Sequence, residues 1–88
     1  GFKQAGSLLY FAADNGSDGV ELWKTDGTDT GTEMVSDIHP FDSSNPMDMY
    51  NLSDTLIFVA DDGNGFELWR TNGTSTSMIQ NIQPPFYD

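Results

Sequence analysis

The chain has 88 residues, no cysteine, and fourteen acidic against three basic residues, for a net charge of −11. The lack of cysteine excludes disulfides and thiolate metal sites, so a chain this small needs another subunit or an oxygen-bound cation as reinforcement. The charge excludes nucleic acid as a partner, because phosphate binding requires Lys and Arg. Membrane insertion is not expected either, since no apolar run approaches the roughly 20 residues that span a bilayer.

Short apolar or alternating runs separated by turn residues predict an all-β chain. The first four predicted strands are 2–5, 8–13, 20–25 and 33–38. The second strand is apolar on both faces, which predicts that it lies between two layers. Gly6-Ser7 predicts a two-residue turn after the first strand, and 14–19 forms an acidic, Gly-containing turn after the second. Asp26-Gly27 predicts a tight hairpin turn in which both residues take positive φ.

The same pattern then returns. The strands predicted for the second half are 47–52, 56–60, 66–71 and 77–82. The octet ELWKTDGT that begins at Glu21 recurs as ELWRTNGT at Glu67, and other matched segments give periods of 44 to 47 residues. Four antiparallel strands at this period are typical of a β-propeller blade. We therefore predict one blade repeat over 1–46 and a second over 47–88, together one module.

The run ELWKTDGTDTGT over residues 21–32 resembles the signature of the bacterial ELW/DGT tandem-repeat proteins. The second copy departs from it, because Asn72 replaces the Asp and Ser77 stands where the trailing Gly-Thr-Glu would be. The resemblance covers essentially the whole chain. It implies a propeller-like module of a secreted or cell-surface protein, and it implies no established catalytic activity or ligand.

Two blades are too few to close a propeller, which has about four to eight. Leu9 and Phe11 are expected on one side of their strand and Tyr10 on the other, and the second repeat has the same alternation. An isolated pair of blades would therefore expose an apolar face at each end. We expect other subunits or repeats to complete the structure, as a ring similar to small lectins with two-repeat subunits, as a filament, or as part of a longer array.

The acidic turns are the candidate metal sites, because alternating carboxylates in a Gly-containing loop can converge on calcium. The candidate ligands are Asp14, Asp18 and Glu21 in the first repeat and Asp61, Asn64 and Glu67 in the second. The alternative is a plain solvated turn, since Asp, Asn and Gly favour turns for backbone reasons alone.

Aromatic residues offer a candidate carbohydrate platform, because sugar rings stack on aromatic faces. The candidates are Trp23, Trp69, Tyr10 and Phe66. The alternative is that both tryptophans are blade-to-blade packing residues.

Catalysis has little basis in the sequence. The single histidine, His39, has no Cys partner and no Gly-x-Ser-x-Gly context. The expected function is that of a non-catalytic extracellular module that self-associates into a ring or filament. The alternative is a carbohydrate-binding lectin with sites between adjacent blades.

Overall fold

The computed structural model of the chain describes residues 2–39 and 42–80, and these residues form eight strands and no helix. The strands are β1 (Phe2–Ala5), β2 (Leu8–Asp14), β3 (Val20–Thr25), β4 (Glu33–Ser36), β5 (Met47–Leu52), β6 (Thr55–Asp61), β7 (Phe66–Thr71) and β8 (Thr76–Gln80). They make two antiparallel sheets, ordered β1-β2-β3-β4 and β5-β6-β7-β8, and neither sheet is closed. The predicted all-β class and the two four-stranded sheets are confirmed. Nothing in the described ranges is a helix capable of crossing a membrane.

The predicted bounds of β1, β3, β5 and β7 are those observed, and β2 and β6 are slightly longer than predicted. β4 ends at Ser36 instead of Ile38. The chain leaves the sheet there because the Ile38 N–H donates to the carboxylate of Glu21 at 3.2 Å instead of continuing the β-ladder. Ile82, the predicted end of the eighth strand, lies outside the described residues.

The two-residue turn predicted after the first strand is confirmed, and the second sheet has the same turn between β5 and β6. Ala5 pairs directly with Leu8 across Gly6-Ser7, and Gly6 has φ of 62°. Ser53 takes the equivalent position with φ of 60°. A left-handed residue at this point gives a tight turn whose twist matches the strands on either side.

The predicted conformation of the Asp26-Gly27 turn is wrong. Gly27 has φ of 100°, but Asp26 is not among the residues with positive φ. The Asp26 carboxylate instead accepts hydrogen bonds from the backbone N–H of Thr28 at 3.0 Å and from its hydroxyl at 2.7 Å. This side-chain turn satisfies the backbone locally, so the connection to β4 is a longer loop. Asn72 likewise accepts from backbone N–H groups while only its neighbouring glycine is left-handed.

The two sheets pack face to face around one hydrophobic core. The first sheet contributes Ala5, Tyr10 and Leu22, and the second contributes Leu56, Phe58 and Ala60, all of them buried. Within each strand these positions alternate with residues of the opposite face, as the registers require. Each sheet therefore has an inner face in the core and an outer face away from it.

The outer faces are apolar as well. The first outer face is defined by Phe2, Leu9, Phe11 and Trp23, and the second by Tyr50, Leu52, Ile57, Val59 and Leu68. On the first, the Phe2 and Phe11 rings lie 5.6 Å apart. Phe2 is 69% exposed, Tyr50 66% and Leu52 60%, so large apolar side chains remain in contact with solvent at both ends of the two-sheet stack.

Candidate functional site

The acidic turn between β2 and β3 is built from hydrogen bonds within the turn. The Asp14 carboxylate accepts from the Gly16 N–H at 2.8 Å, and the side-chain amide oxygen of Asn15 accepts from two backbone N–H groups. The Asn15 amide in turn donates to the Asp18 carboxylate at 2.7 Å. Asp14 and Asp18 therefore have local partners that explain the turn as a backbone feature.

The second acidic turn, between β6 and β7, is also built from hydrogen bonds within the turn. The Asp61 carboxylate accepts from Gly63 N–H at 2.8 Å and from Gly65 N–H at 3.2 Å. The Asn64 N–H donates to the Asp62 carboxylate at 3.0 Å. Across residues 2–39 and 42–80, no group of three or more His, Asp or Glu side chains is arranged to hold a metal ion.

Glu21 has a different role from Asp14 and Asp18. It is fully buried, and its carboxylate accepts hydrogen bonds from Ile38 N–H at 3.2 Å, Ser44 N–H at 3.2 Å and the Ser44 hydroxyl at 2.6 Å. Burial raises the pKa of Glu21, and these hydrogen bonds oppose the rise. We call this arrangement the linker latch, because it fixes the start and end of the segment that joins the two sheets.

The linker latch is the feature that sequence reasoning missed. Ser44 lies 23 positions from Glu21, and its N–H also donates to the Val20 carbonyl at 3.0 Å, while the Ser44 carbonyl accepts from Asp61 N–H at 2.8 Å. Ser44 thus connects both sheets through one buried residue. The only signal in the sequence for the linker latch is that Glu21 recurs as Glu67 in the repeated octet. In the structure Glu67 is also buried.

The four aromatic candidates do not converge on one surface. Tyr10 is fully buried on the first inner face, and Trp69 packs against the core from the second. Trp23 lies on the first outer face, and Phe66 lies on the second, by the register of β7 with β6. The structure therefore places them on three separate surfaces, with Tyr10 and Trp69 lining the contact between sheets.

The two tryptophans occupy matching positions in the repeats but lie on different surfaces. Each indole Nε1 is buried and has no hydrogen-bond partner among the described residues. Trp23 pairs with Phe11 and Trp69 pairs with Phe58, at matching positions in the two repeats. The same Phe-Trp pair is thus packed inside the molecule in one repeat and presented on the outside in the other.

Comparisons with protein-family models, curated proteins and solved structures find no match for this chain. The residues and surfaces of the chain are therefore the basis for a proposed function. The most distinctive of these surfaces are the two apolar outer faces.

Proposed function

We propose that the chain is a non-catalytic repeat module that self-associates, with its two sheets acting as propeller-type blades in a ring or a filament. The observation that carries the proposal is that both sheets are apolar on both faces while the core covers only one face of each. Contiguous exposed apolar surface of this kind marks a protein contact.

The charge of the chain bears on how such contacts form. A net charge of −11 on each copy opposes association, so the apolar contact has to outweigh the repulsion of the carboxylates. The repulsion weakens with ionic strength, because the screening length falls to about 8 Å at physiological salt. Association should therefore strengthen as sodium chloride is added.

The resemblance to ELW/DGT repeat proteins supports an extracellular or cell-surface location for the module. It also supports a structural or adhesive role, because tandem repeats of this kind stack on copies of themselves. Neighbouring repeats of a longer chain can cover these exposed faces, and so can other subunits.

Light scattering after size-exclusion chromatography, over a series of protein and salt concentrations, tests the proposal. We expect species larger than the 9.7 kDa chain, with a mass that rises with concentration. A compact 9.7 kDa species at every concentration and salt level would contradict it. A glycan array run on the same material tests the lectin function: saturable sugar binding by a small closed oligomer would favour that alternative.

A further inference from the structure

The contact between the two sheets contains a turn that sits in a socket. The loop after β7 places Gly73 against the first inner face, where the Lys24 ammonium group donates a hydrogen bond to the Gly73 carbonyl. A methyl group added at Gly73 would lie 2.5 Å from Leu8 Cδ1 and 3.1 Å from the Tyr10 hydroxyl. Leu8, Tyr10 and Lys24 thus form a close-fitting socket for this turn.

The repeat provides a second turn and a second socket, and both are open. Gly27 occupies the position equivalent to Gly73, and among the described residues no heavy atom beyond Gly27 and its two chain neighbours lies within 4 Å of the place its Cβ would take. Thr55 and Arg70 are the equivalents of Leu8 and Lys24. They line a cleft of about 300 Å³ in the second sheet. Arg70 is exposed on the second outer face, at this cleft.

A second hydrogen bond also joins the two sheets. The Asn51 amide donates to the Gln4 carbonyl at 2.7 Å. Gln4 is the residue of the first repeat equivalent to Asn51, and its own amide donates to the nearby Gly6 carbonyl, at 3.3 Å, in an exposed position. The Gln4 amide is therefore placed to make, with another copy, the bond that Asn51 makes within the chain.

The apolar surfaces around these groups are also equivalent between the two repeats. The first outer face carries the same residue types as the second inner face, in the pairs Leu9 and Leu56, Phe11 and Phe58, Ala13 and Ala60, and Trp23 and Trp69. The second sheet buries this set against the first sheet, whereas the first sheet presents it outward. Each chain thus exposes both halves of an interface that it already contains.

We propose that the Asp26-Gly27 turn of one copy docks into the Thr55–Arg70 cleft of a second copy, with the first outer face of one packed on the second outer face of the other. Arg70 then donates to the Gly27 carbonyl of the neighbouring copy, as Lys24 does to Gly73. This inference rests on the proposed self-association and specifies its polarity. The contact is head-to-tail, so it uses two different surfaces and leads to a ring or a filament.

Complementary surface variants test this polarity. Phe2→Asp disables the first outer face, and Leu52→Asp disables the second. Both residues are exposed within the chain, so the fold should survive, which circular dichroism checks. Ser17→Asp, in the exposed turn between β2 and β3, gives the same net charge and serves as the matched control.

In sedimentation velocity, we expect each face variant to be monomeric alone and the equimolar mixture to form a one-to-one dimer, because one intact face of each kind remains. The Ser17→Asp control should associate like the natural chain. If the natural chain associates but the mixture stays monomeric, or if either face variant dimerises with itself, the docking inference is overturned and self-association stands. If the natural chain and the control are both monomeric, the proposed function fails as well.

Arg70 supplies an independent test that leaves both apolar faces intact. Arg70→Lys should retain association, because Lys24 makes the equivalent contact in the first repeat. Arg70→Met should weaken association about 10- to 100-fold, the range for losing a hydrogen bond from a charged donor. Equal affinities for Arg70→Met and the charge-matched Ser17→Asp variant would remove Arg70 from the contact and overturn the turn-in-socket geometry.

Discussion

Replacing Glu21 with alanine should destabilise the fold far more than replacing a glutamate on the surface. The Glu21 carboxylate accepts from Ile38 N–H, Ser44 N–H and the Ser44 hydroxyl. Without it, the Ile38 N–H loses its acceptor, and an unsatisfied buried group costs about 1–3 kcal/mol. Both Ser44 donors still have the Val20 carbonyl within reach, at 3.0 and 3.4 Å, so their loss is smaller.

One effect works in the opposite direction. Burial raises the pKa of Glu21, so removing the carboxylate also relieves a desolvation cost. The expected net loss is about 2–3 kcal/mol of unfolding free energy, a large part of the total for a chain of this size. It corresponds to a drop in Tm of about 10–20 °C.

Thermal unfolding followed by circular dichroism measures this loss, and Glu33→Ala is the matched control. Glu33 is a surface glutamate whose contact with Lys24, at 3.3 Å, is worth about 0–1 kcal/mol. Both variants remove one negative charge, so a difference between them reports the linker latch. If the two variants unfold at the same temperature, the linker latch does not hold the sheets together as described.

The remaining predictions concern the tryptophans, pH and calcium. Trp69→Ala should cost about 3 kcal/mol of unfolding free energy, because Trp69 packs on the core, whereas Trp23→Ala should mainly weaken association; equal unfolding losses measured in urea would contradict this. The native pKa of Glu21 is raised, so the contribution of Glu21 to stability is fully present below its ordinary pKa of 4.5 and is lost as pH rises through the native pKa. Glu21→Gln should remove this pH dependence from urea-unfolding curves. An unchanged pH dependence would exclude Glu21 as its source. The calcium hypothesis predicts that millimolar calcium at fixed ionic strength raises Tm and that Asp18→Ala loses much of the rise, whereas an equal response to sodium chloride would reduce the effect to charge screening.

The parts of the fold that sequence predicts well are those set by neighbouring residues. The two-residue turn at Gly6 and the bounds of β3 and β7 follow from turn chemistry and alternation of apolar residues. The sequence does not predict the conformation of the Asp26-Gly27 turn, because the Asp side chain competes for the backbone N–H groups that a tight hairpin turn would leave in the ladder.

The parts that sequence does not reveal depend on distant contacts. The sequence indicates that Glu21 is a candidate metal ligand beside an acidic turn. In the structure its carboxylate instead accepts hydrogen bonds from Ile38 and Ser44, which lie 17 and 23 positions further along the chain. Nothing local to Ser44 identifies it as the partner. The alternation along β2 predicts two apolar faces, but which of them meets the second sheet depends on the path of the linker between β4 and β5.

Negative-stain electron microscopy of the purified chain tests self-association through the two outer faces most directly. The grids are prepared at a protein concentration and salt level at which light scattering also reports the mass. We expect closed rings or filaments with a repeating unit the size of one two-sheet module, and we expect them to be absent in Phe2→Asp. Fields without assemblies, together with a solution mass of 9.7 kDa, would contradict it.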